Sequence, residues 1–301
     1  MEFIKPGTKL DFVGKIKYAI VFSIVLIILS VGTILFQGGL NLGIDFAGGS
    51  VIQIKFNKAI TADEIRTALK STNLGNSVIQ QFGPNEFLIR TAESFSDQNV
   101  MAANLEQPLT AAFQQDYEIR RVEVVGSKIG TDFRRKAIVA VVLSWIAMLI
   151  YIAWRFEFRY GLGAVIAIIH DLTITIGVVA FMGMEFTISI LAALFFIIGF
   201  SINDTIVVLD RIRENVKLHT KKTLADIINL SINQTLSRTI LTSVTVFLTV
   251  LALYFFGGPV INDLAFALLI GVVIGTYSSI FIACTIVLLF ENFHLARQGK
   301  K

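Results

Sequence analysis

Three residues stand where their chemistry is costly. Asp171 and Asp204 lie inside long apolar runs, and Arg238 opens another. A charged side chain at the centre of a lipid-embedded helix costs about 2.5–3.5 kcal/mol on insertion scales, so such residues mark ion pathways and polar contacts between helices. An aspartate that can be neutral or charged, set against an arginine, can act as a proton switch. Desolvation disfavours its charged form and the guanidinium favours it. If access alternates between the two sides of a membrane, the potential contributes about 2.3 kcal/mol per charge per 100 mV.

Helix geometry indicates how these groups could meet. At a rise of 1.5 Å per residue, Asp204 lies roughly 24 Å and Arg238 roughly 27 Å from the outer ends of their runs. Consecutive antiparallel helices could therefore bring them together as an ion pair. Asp171, roughly 15 Å from the inner end of its own run, lies nearer the midplane, and the three could form a polar track towards the inner surface. Arg238, Thr242, Thr245 and Thr249 share one helical face, as do Gly163, Ala167, Asp171 and Thr175. Ala267, Gly271, Gly275, Ser279 and Ala283 recur every four residues, a small-residue stripe that admits another helix closely. Structural alternatives stand beside these readings. The aspartates could simply bond neighbouring helices, Arg238 could snorkel to the headgroups, and the threonines could bond back to their own helix. Asp210, Arg211, Arg213 and Glu214 read as a solvated helix end.

The elements that position these residues are six apolar stretches: Tyr18–Phe36, Ala137–Trp154, Leu162–Met182, Ile188–Leu209, Thr239–Phe256 and Leu264–Phe290. Each is near the 20 residues that a spanning helix needs. The whole chain agrees: of 301 residues 54% are hydrophobic and 16% charged, against about 25% charged in soluble domains. The first stretch is too long for a cleaved signal peptide, and no small-residue cleavage site follows it. Cys284, the single cysteine, permits no internal disulfide and reads as a small buried hydrophobe. Lys5, Lys9, Lys15 and Lys17, the link with Arg155 and Arg159, the link with Arg211, Arg213, Lys217, Lys221 and Lys222, and the tail with Arg297, Lys300 and Lys301 fall on one side. The links 183–187 and 257–263 carry no Lys or Arg. Both termini are thus expected in the cytoplasm. Arg134, Arg135 and Lys136 run against this pattern but belong to a long loop, where the rule is weak.

Three segments follow: residues 1–36 with the first helix, an extracytoplasmic domain at 37–135, and 136–301 with helices two to six. In the domain, Ser50–Phe56 alternates as a strand. Thr61 and Glu64 form a capping-box pattern before Ile65 and Leu69. Ser77–Phe82 and Glu86–Thr91 are strands around the turn signal Gly83-Pro84-Asn85. A helix follows from about Asp97 to Gln114, with Pro108 able to kink or split it, and Tyr117–Val125 is a last strand. This strand–helix–strand–strand–helix–strand order is ferredoxin-like, so the fold class is a multi-pass α-helical membrane protein with one α+β domain. No metal spacing, nucleophile triad or phosphate loop is present, so neither a metal, a cofactor nor an ATP-driven cycle is expected. The positive charge is a topology signal, with no nucleic-acid partner implied.

Several segments together resemble the SecF family. Gly43-Ile44-Asp45-Phe46-Ala47-Gly48-Gly49 looks like its glycine motif, with Gly43, Asp45, Gly48 and Gly49 the matching positions. Residues 199–215, GFSINDTIVVLDRIREN, closely resemble its most characteristic segment, and His170-Asp171 and Ser237-Arg238-Thr239 also match. Phe200 stands where the family often has Tyr. The resemblance implies membership of the resistance-nodulation-division superfamily, pairing with SecD, and work beside the SecYEG channel, with YajC and SecA in the wider complex. It implies use of the proton or sodium gradient to draw preprotein across the bacterial cytoplasmic membrane. It carries Asp204 and Arg238 over as coupling residues, leaves Asn203 and Thr205 in supporting roles, and places a further coupling carboxylate on SecD.

The rivals are weaker. A lipid or drug transporter half of the same superfamily would keep the proton chemistry, but such exporters carry much larger external domains. An intramembrane aspartyl protease needs a Gly-x-Gly-Asp type motif, which neither Ile169-His170-Asp171 nor Ile202-Asn203-Asp204 supplies. No enzyme is expected. A scaffold without ion chemistry would tolerate loss of the Asp204 carboxylate.

Overall fold

The structure, a computed structural model, describes residues 9–298 except 71, 73, 76, 92, 94, 96 and 115; Lys5, Lys300 and Lys301 lie outside the described residues. In chain order the elements are α1 (Ile16–Phe36), α2 (Ile44–Ala47), β1 (Gly49–Phe56), α3 (Ala62–Leu69), β2 (Val78–Gly83), β3 (Glu86–Thr91), α4 (Gln98–Phe113), β4 (Tyr117–Val125), α5 (Ser127–Arg155), α6 (Phe158–Phe181), α7 (Ile188–Leu218), α8 (Leu224–Phe256) and α9 (Pro259–Gln298). The chain forms two compact units, Leu42–Leu143 and the remainder.

In the helical unit α1, α5, α6, α7, α8 and α9 are each long and apolar enough to cross a membrane. Four of the helices extend well past the apolar stretches that announce them, α9 among them with Pro259–Gln298 against Leu264–Phe290. α5 starts at Ser127, α7 runs on to Leu218, and α8 starts at Leu224. Hydropathy registers the part of a helix that needs lipid. The hydrogen-bonded backbone continues into polar sequence that water can solvate. At 33 residues, α8 is about 50 Å long, well beyond the roughly 30 Å hydrocarbon layer.

The small-residue stripe of α9 finds its partners on α7 and α6. A Cβ on Gly271 would stand 2.1 Å from Ile197 Cδ1, and one on Gly275 would stand 3.2 Å from Ser201 Cβ. One on Gly163 would stand 2.8 Å from the Ala283 carbonyl oxygen, so α6 and α9 also touch through backbone. Such approaches let dispersion and interhelical hydrogen bonds act where lipid supplies no hydrophobic drive. Cys284 is fully buried in this packing. Ion pairs tie helix ends together, Arg155 to Asp210 and Arg159 to Glu291. Asp210 is thus more than a solvated helix end. The Asn229 and Asn233 amides clasp the backbone of Leu10 and Phe12.

The α+β unit is a four-stranded antiparallel sheet in the order β2-β3-β1-β4, the ferredoxin-like arrangement. Its core joins Ile52, Ile54 and Phe56 of β1 and Phe87 and Ile89 of β3 to Ile65 and Leu69 of α3 and Met101, Leu105 and Leu109 of α4. The four-residue spacing on α4 keeps one face inward. Being central, β1 is buried on nearly both faces, where the alternation predicts half-burial. The capping box forms as expected: the Glu64 amide donates to Thr61 Oγ1, and Glu64 Oε2 accepts from the Thr61 amide at 2.7 Å. Asn85 adopts a left-handed conformation in the β2–β3 turn. Pro108 does not split α4, which is continuous over Gln98–Phe113.

In the glycine motif, Gly43 precedes the short helix α2, whose first turn holds Asp45. Gly48 (φ +76°) and Gly49 (φ +123°) then turn the chain into β1 through conformations that L side chains rarely adopt. Gly130, near the start of α5, seals this corner: a Cβ there would stand 2.7 Å from the Gly48 nitrogen. Neither α2 nor this crossing is legible as a sequence pattern.

Candidate functional site

Asp171 is fully buried on the small face of α6, as its spacing predicts. Its Oδ2 accepts from Ser201 Oγ of α7 at 2.5 Å and Ser278 Oγ of α9 at 2.7 Å. Its Oδ1 lies 2.9 Å from His170 Nδ1. Thr175 bonds the Asp171 carbonyl, not the carboxylate. Gly275 makes room for the cage, since a Cβ there would lie 3.6 Å from Asp171 Oδ2. From His170 the network continues: Nε2 lies 3.0 Å from Ser23 Oγ of α1, which lies 3.0 Å from the Tyr277 hydroxyl of α9.

Asp204 is also buried, at 3% exposure, but it is held loosely. Its carboxylate accepts from Ser243 Oγ of α8 at 3.4 Å, near the outer limit of a hydrogen bond. Thr276 Oγ1 of α9 supports that serine at 2.7 Å. One turn from Ser243, the buried Thr239 hydroxyl has no partner among the described residues. Thr205 is buried and pairs with Ser279 at 2.8 Å, whereas Asn203 stands on the exposed side of α7. Asp171 and Asp204 are coupled in position through α7, because Ser201 precedes Asp204 by three residues, a rise of about 4.5 Å.

The expected Asp204–Arg238 ion pair is not formed: among the described residues Arg238 has no salt-bridge partner, and it lies on the exposed side of α8. The reason is angular. Ser243, which faces Asp204, is five residues from Arg238, and at 100° per residue the two side chains leave α8 about 140° apart. The threonine stripe resolves towards back-bonding: Thr242, Thr245 and Thr249 each donate to the carbonyl four residues earlier. Together with Arg238 they form a face that nothing else in the described chain covers, with Thr245 and Thr249 exposed and Thr242 half-buried.

Sequence reasoning does not single out Ser23, Ser201, Ser243, Thr276, Tyr277 or Ser278. A serine three residues before a membrane aspartate is the one local signal. The others are polar residues in long apolar helices whose facing comes only from packing. Among the described residues no group of His, Cys, Asp and Glu is placed to hold a metal ion.

Comparison with known proteins is concordant over almost the whole chain. The family model described as protein export membrane protein SecD/SecF, C-terminal, matches residues 105–292, and the SecD/SecF GG motif model matches residues 33–60. The protein translocase subunit SecF of Calditerrivibrio nitroreducens is 43% identical over 97% of this chain and 97% of its own. That of Magnetococcus marinus is 45% identical over 97% and 95%. The crystal structure of SecDF from Thermus thermophilus, a translocon-associated membrane protein, superposes with TM-score 0.86 at 37% identity, covering 95% of this chain. The present chain spans only 39% of that longer one. A super-membrane-facing form of SecDF gives TM-score 0.73 at 36% identity, covering all of this chain and 41% of its own. The chain belongs to the SecF family of protein translocase subunits, a family of multi-pass membrane proteins and not of enzymes.

Proposed function

We propose that this chain is the SecF half of a SecDF-type export motor, which uses the proton or sodium gradient to drive late translocation of preproteins across the bacterial cytoplasmic membrane. SecD is its direct partner, and the SecYEG channel, YajC and SecA belong to the wider assembly. Both termini are cytoplasmic and the α+β unit is extracytoplasmic, as the Lys and Arg distribution implies.

The carrying observation is the state of Asp204. It is a buried carboxylate on the family's most characteristic segment, held by one long hydrogen bond. A carboxylate so lightly bonded can change protonation state or partner with little loss. Arg238, exposed on the polar face of α8, supports a complementary role. An arginine without a salt-bridge partner among the described residues suits a carboxylate from SecD, with Thr242 beside it. Asp171, one turn along the same helix contact, is the third coupling residue. Thr205 holds α7 against α9 beside Asp204 through Ser279, and Asn203 acts from the exposed side. The glycine motif with Asp45 anchors the α+β unit.

The test is Asp204→Asn, which keeps size and polarity but cannot titrate. Gradient-dependent release of preprotein from cells is measured after normal membrane level and SecD association are confirmed. Release should fall at least tenfold. Normal release from a correctly assembled variant would make Asp204 a packing residue and the chain a scaffold.

A further inference from the structure

The contacts that lead from Asp171 to α1 can be counted in hydrogens. There are four: Asp171 Oδ1 with His170 Nδ1, His170 Nε2 with Ser23 Oγ, Ser23 Oγ with the Tyr277 hydroxyl, and Tyr277 with the Ala19 carbonyl at 2.7 Å. With Asp171 ionised and His170 neutral, this chain owns three hydrogens, one each on the imidazole, the serine and the phenol. Four contacts share three hydrogens, so in every arrangement one pair of heteroatoms faces lone pair to lone pair. At the two imidazole contacts burial makes such a gap hard to relieve with water, since Ser23, His170 and Asp171 are 4%, 3% and 0% exposed, while Tyr277 is half-buried.

One more proton closes the gap. Nε2 then donates to Ser23, Ser23 to Tyr277, and Tyr277 to the Ala19 carbonyl, all in one direction. The remaining hydrogen lies between Nδ1 and Oδ1. It does not belong on Oδ2, which already accepts from Ser201 and Ser278. We propose that His170 and Asp171 together form a proton-binding site, occupied in the resting protein and wired through Ser23 and Tyr277 to the backbone of α1. This deepens the role given to Asp171 above, while its test is read without export, so its failure is distinct from a failure of Asp204→Asn.

The surroundings suit such a site. α1 contributes Ser23, α7 contributes Ser201, and α9 contributes Ser278 and Tyr277. Tyr277 is the only other titratable side chain in direct contact among the described residues. Asp204 lies one turn beyond Ser201 on α7. A proton arriving at or leaving His170 reverses the donors along the chain, which ties the charge state of α6 to the seating of α1 against α9.

The site is read by ¹⁵N solid-state NMR of the full chain in lipid bilayers. His219→Gln and His294→Gln leave His170 as the sole histidine of three. The expected result at neutral pH is a hydrogen on Nε2 of His170 in most molecules. Tyr277→Phe removes two contacts and one hydrogen, so the two contacts that remain share two hydrogens without an added proton, and it leaves His170 and Asp171 in place. At the pH where the otherwise unchanged chain shows equal amounts, the ratio of hydrogen-bearing to bare Nε2 should then fall about fivefold, the weight of one neutral hydrogen bond. A bare Nε2 at neutral pH overturns the proposal, and so does a ratio that Tyr277→Phe leaves unchanged.

Discussion

The two units of this chain bury opposite things. In the α+β unit Ile52, Ile54, Phe56, Phe87 and Ile89 are inside, and Arg66, Glu118 and Lys58 meet water. In the helical unit Asp171, Ser201, Thr205, Ser278 and Ser279 are fully buried, while Val21, Phe22, Ile28, Leu29 and Leu248 point outward. The solvent accounts for the inversion. Water drives apolar surface inward at about 25 cal/mol per Å². Lipid is indifferent to a leucine and leaves a polar group nothing to bond, so polar side chains gather where helices meet. A buried carboxylate would be anomalous in the first unit and is a design element of the second.

The sharpest way to break this comparison is Asp171→Ala. It leaves His170 Nδ1 and Ser201 without their carboxylate partner and Ser278 with only the Gly275 carbonyl at 3.1 Å. Interhelical hydrogen bonds in membranes average about 0.6 kcal/mol, and orphaned buried groups add to the loss, so roughly 2–4 kcal/mol of bundle stability should go. Reversible unfolding in mixed detergent micelles measures it, with Asp204→Asn as the contrast. The single long hydrogen bond of Asp204 predicts a change below about 1 kcal/mol. Equal losses at the two sites would show that the caged and the loose aspartate do not differ as their geometry implies.

Glycine spacing offers a second, smaller contrast within the helical unit. A Cβ on Gly177 of α6 would stand 2.5 Å from Ser30 Cα of α1, so the backbones must part. Gly199 of α7 has nothing within 4 Å of its missing Cβ. Gly177→Ala should destabilise the bundle by about 1–3 kcal/mol through overpacking. Gly199→Ala should be neutral or stabilise by up to about 1 kcal/mol, the helix-propensity difference. The same unfolding measurement reads both signs, and a destabilising Gly199→Ala would contradict the open space beside it.

These contrasts also mark what could be read in the chain beforehand. The spans, the ferredoxin-like order, the Thr61–Glu64 cap and the limits of β3 and β4 follow from signals confined to a few neighbouring residues. The inward facing of Asp171 was legible too, because Gly163, Ala167 and Thr175 share its face. That Asp204 and Arg238 do not pair was not, because depth along two helices says nothing of rotation about them. That rotation is set by packing, in which Ser243 and not Arg238 faces α7. The Ser201–Ser278 cage and the Ser23–Tyr277 link join residues as much as 254 positions apart, and no periodicity within one helix reports on such contacts.

The smallest effect belongs to the water-facing unit, where a polar group competes with solvent at every moment. Thr61→Ala removes the cap of α3 and should cost about 1 kcal/mol. Glu64, its partner, is held below the usual carboxylate range first by the Thr61 backbone amide and then by the Thr61 hydroxyl. A carboxylate depressed in the folded state contributes its stability above the unfolded value and loses it as pH falls through the folded one. The first turn of α3 should therefore open more often on acidification, and Glu64→Gln should flatten that dependence. Amide hydrogen exchange at Asp63, Glu64 and Ile65 in the two chains, compared at matched pH, reads the difference. If wild type and Glu64→Gln respond alike to pH, the bond between Glu64 and the Thr61 amide contributes nothing, and local caps in this unit would be weaker still beside the cage around Asp171.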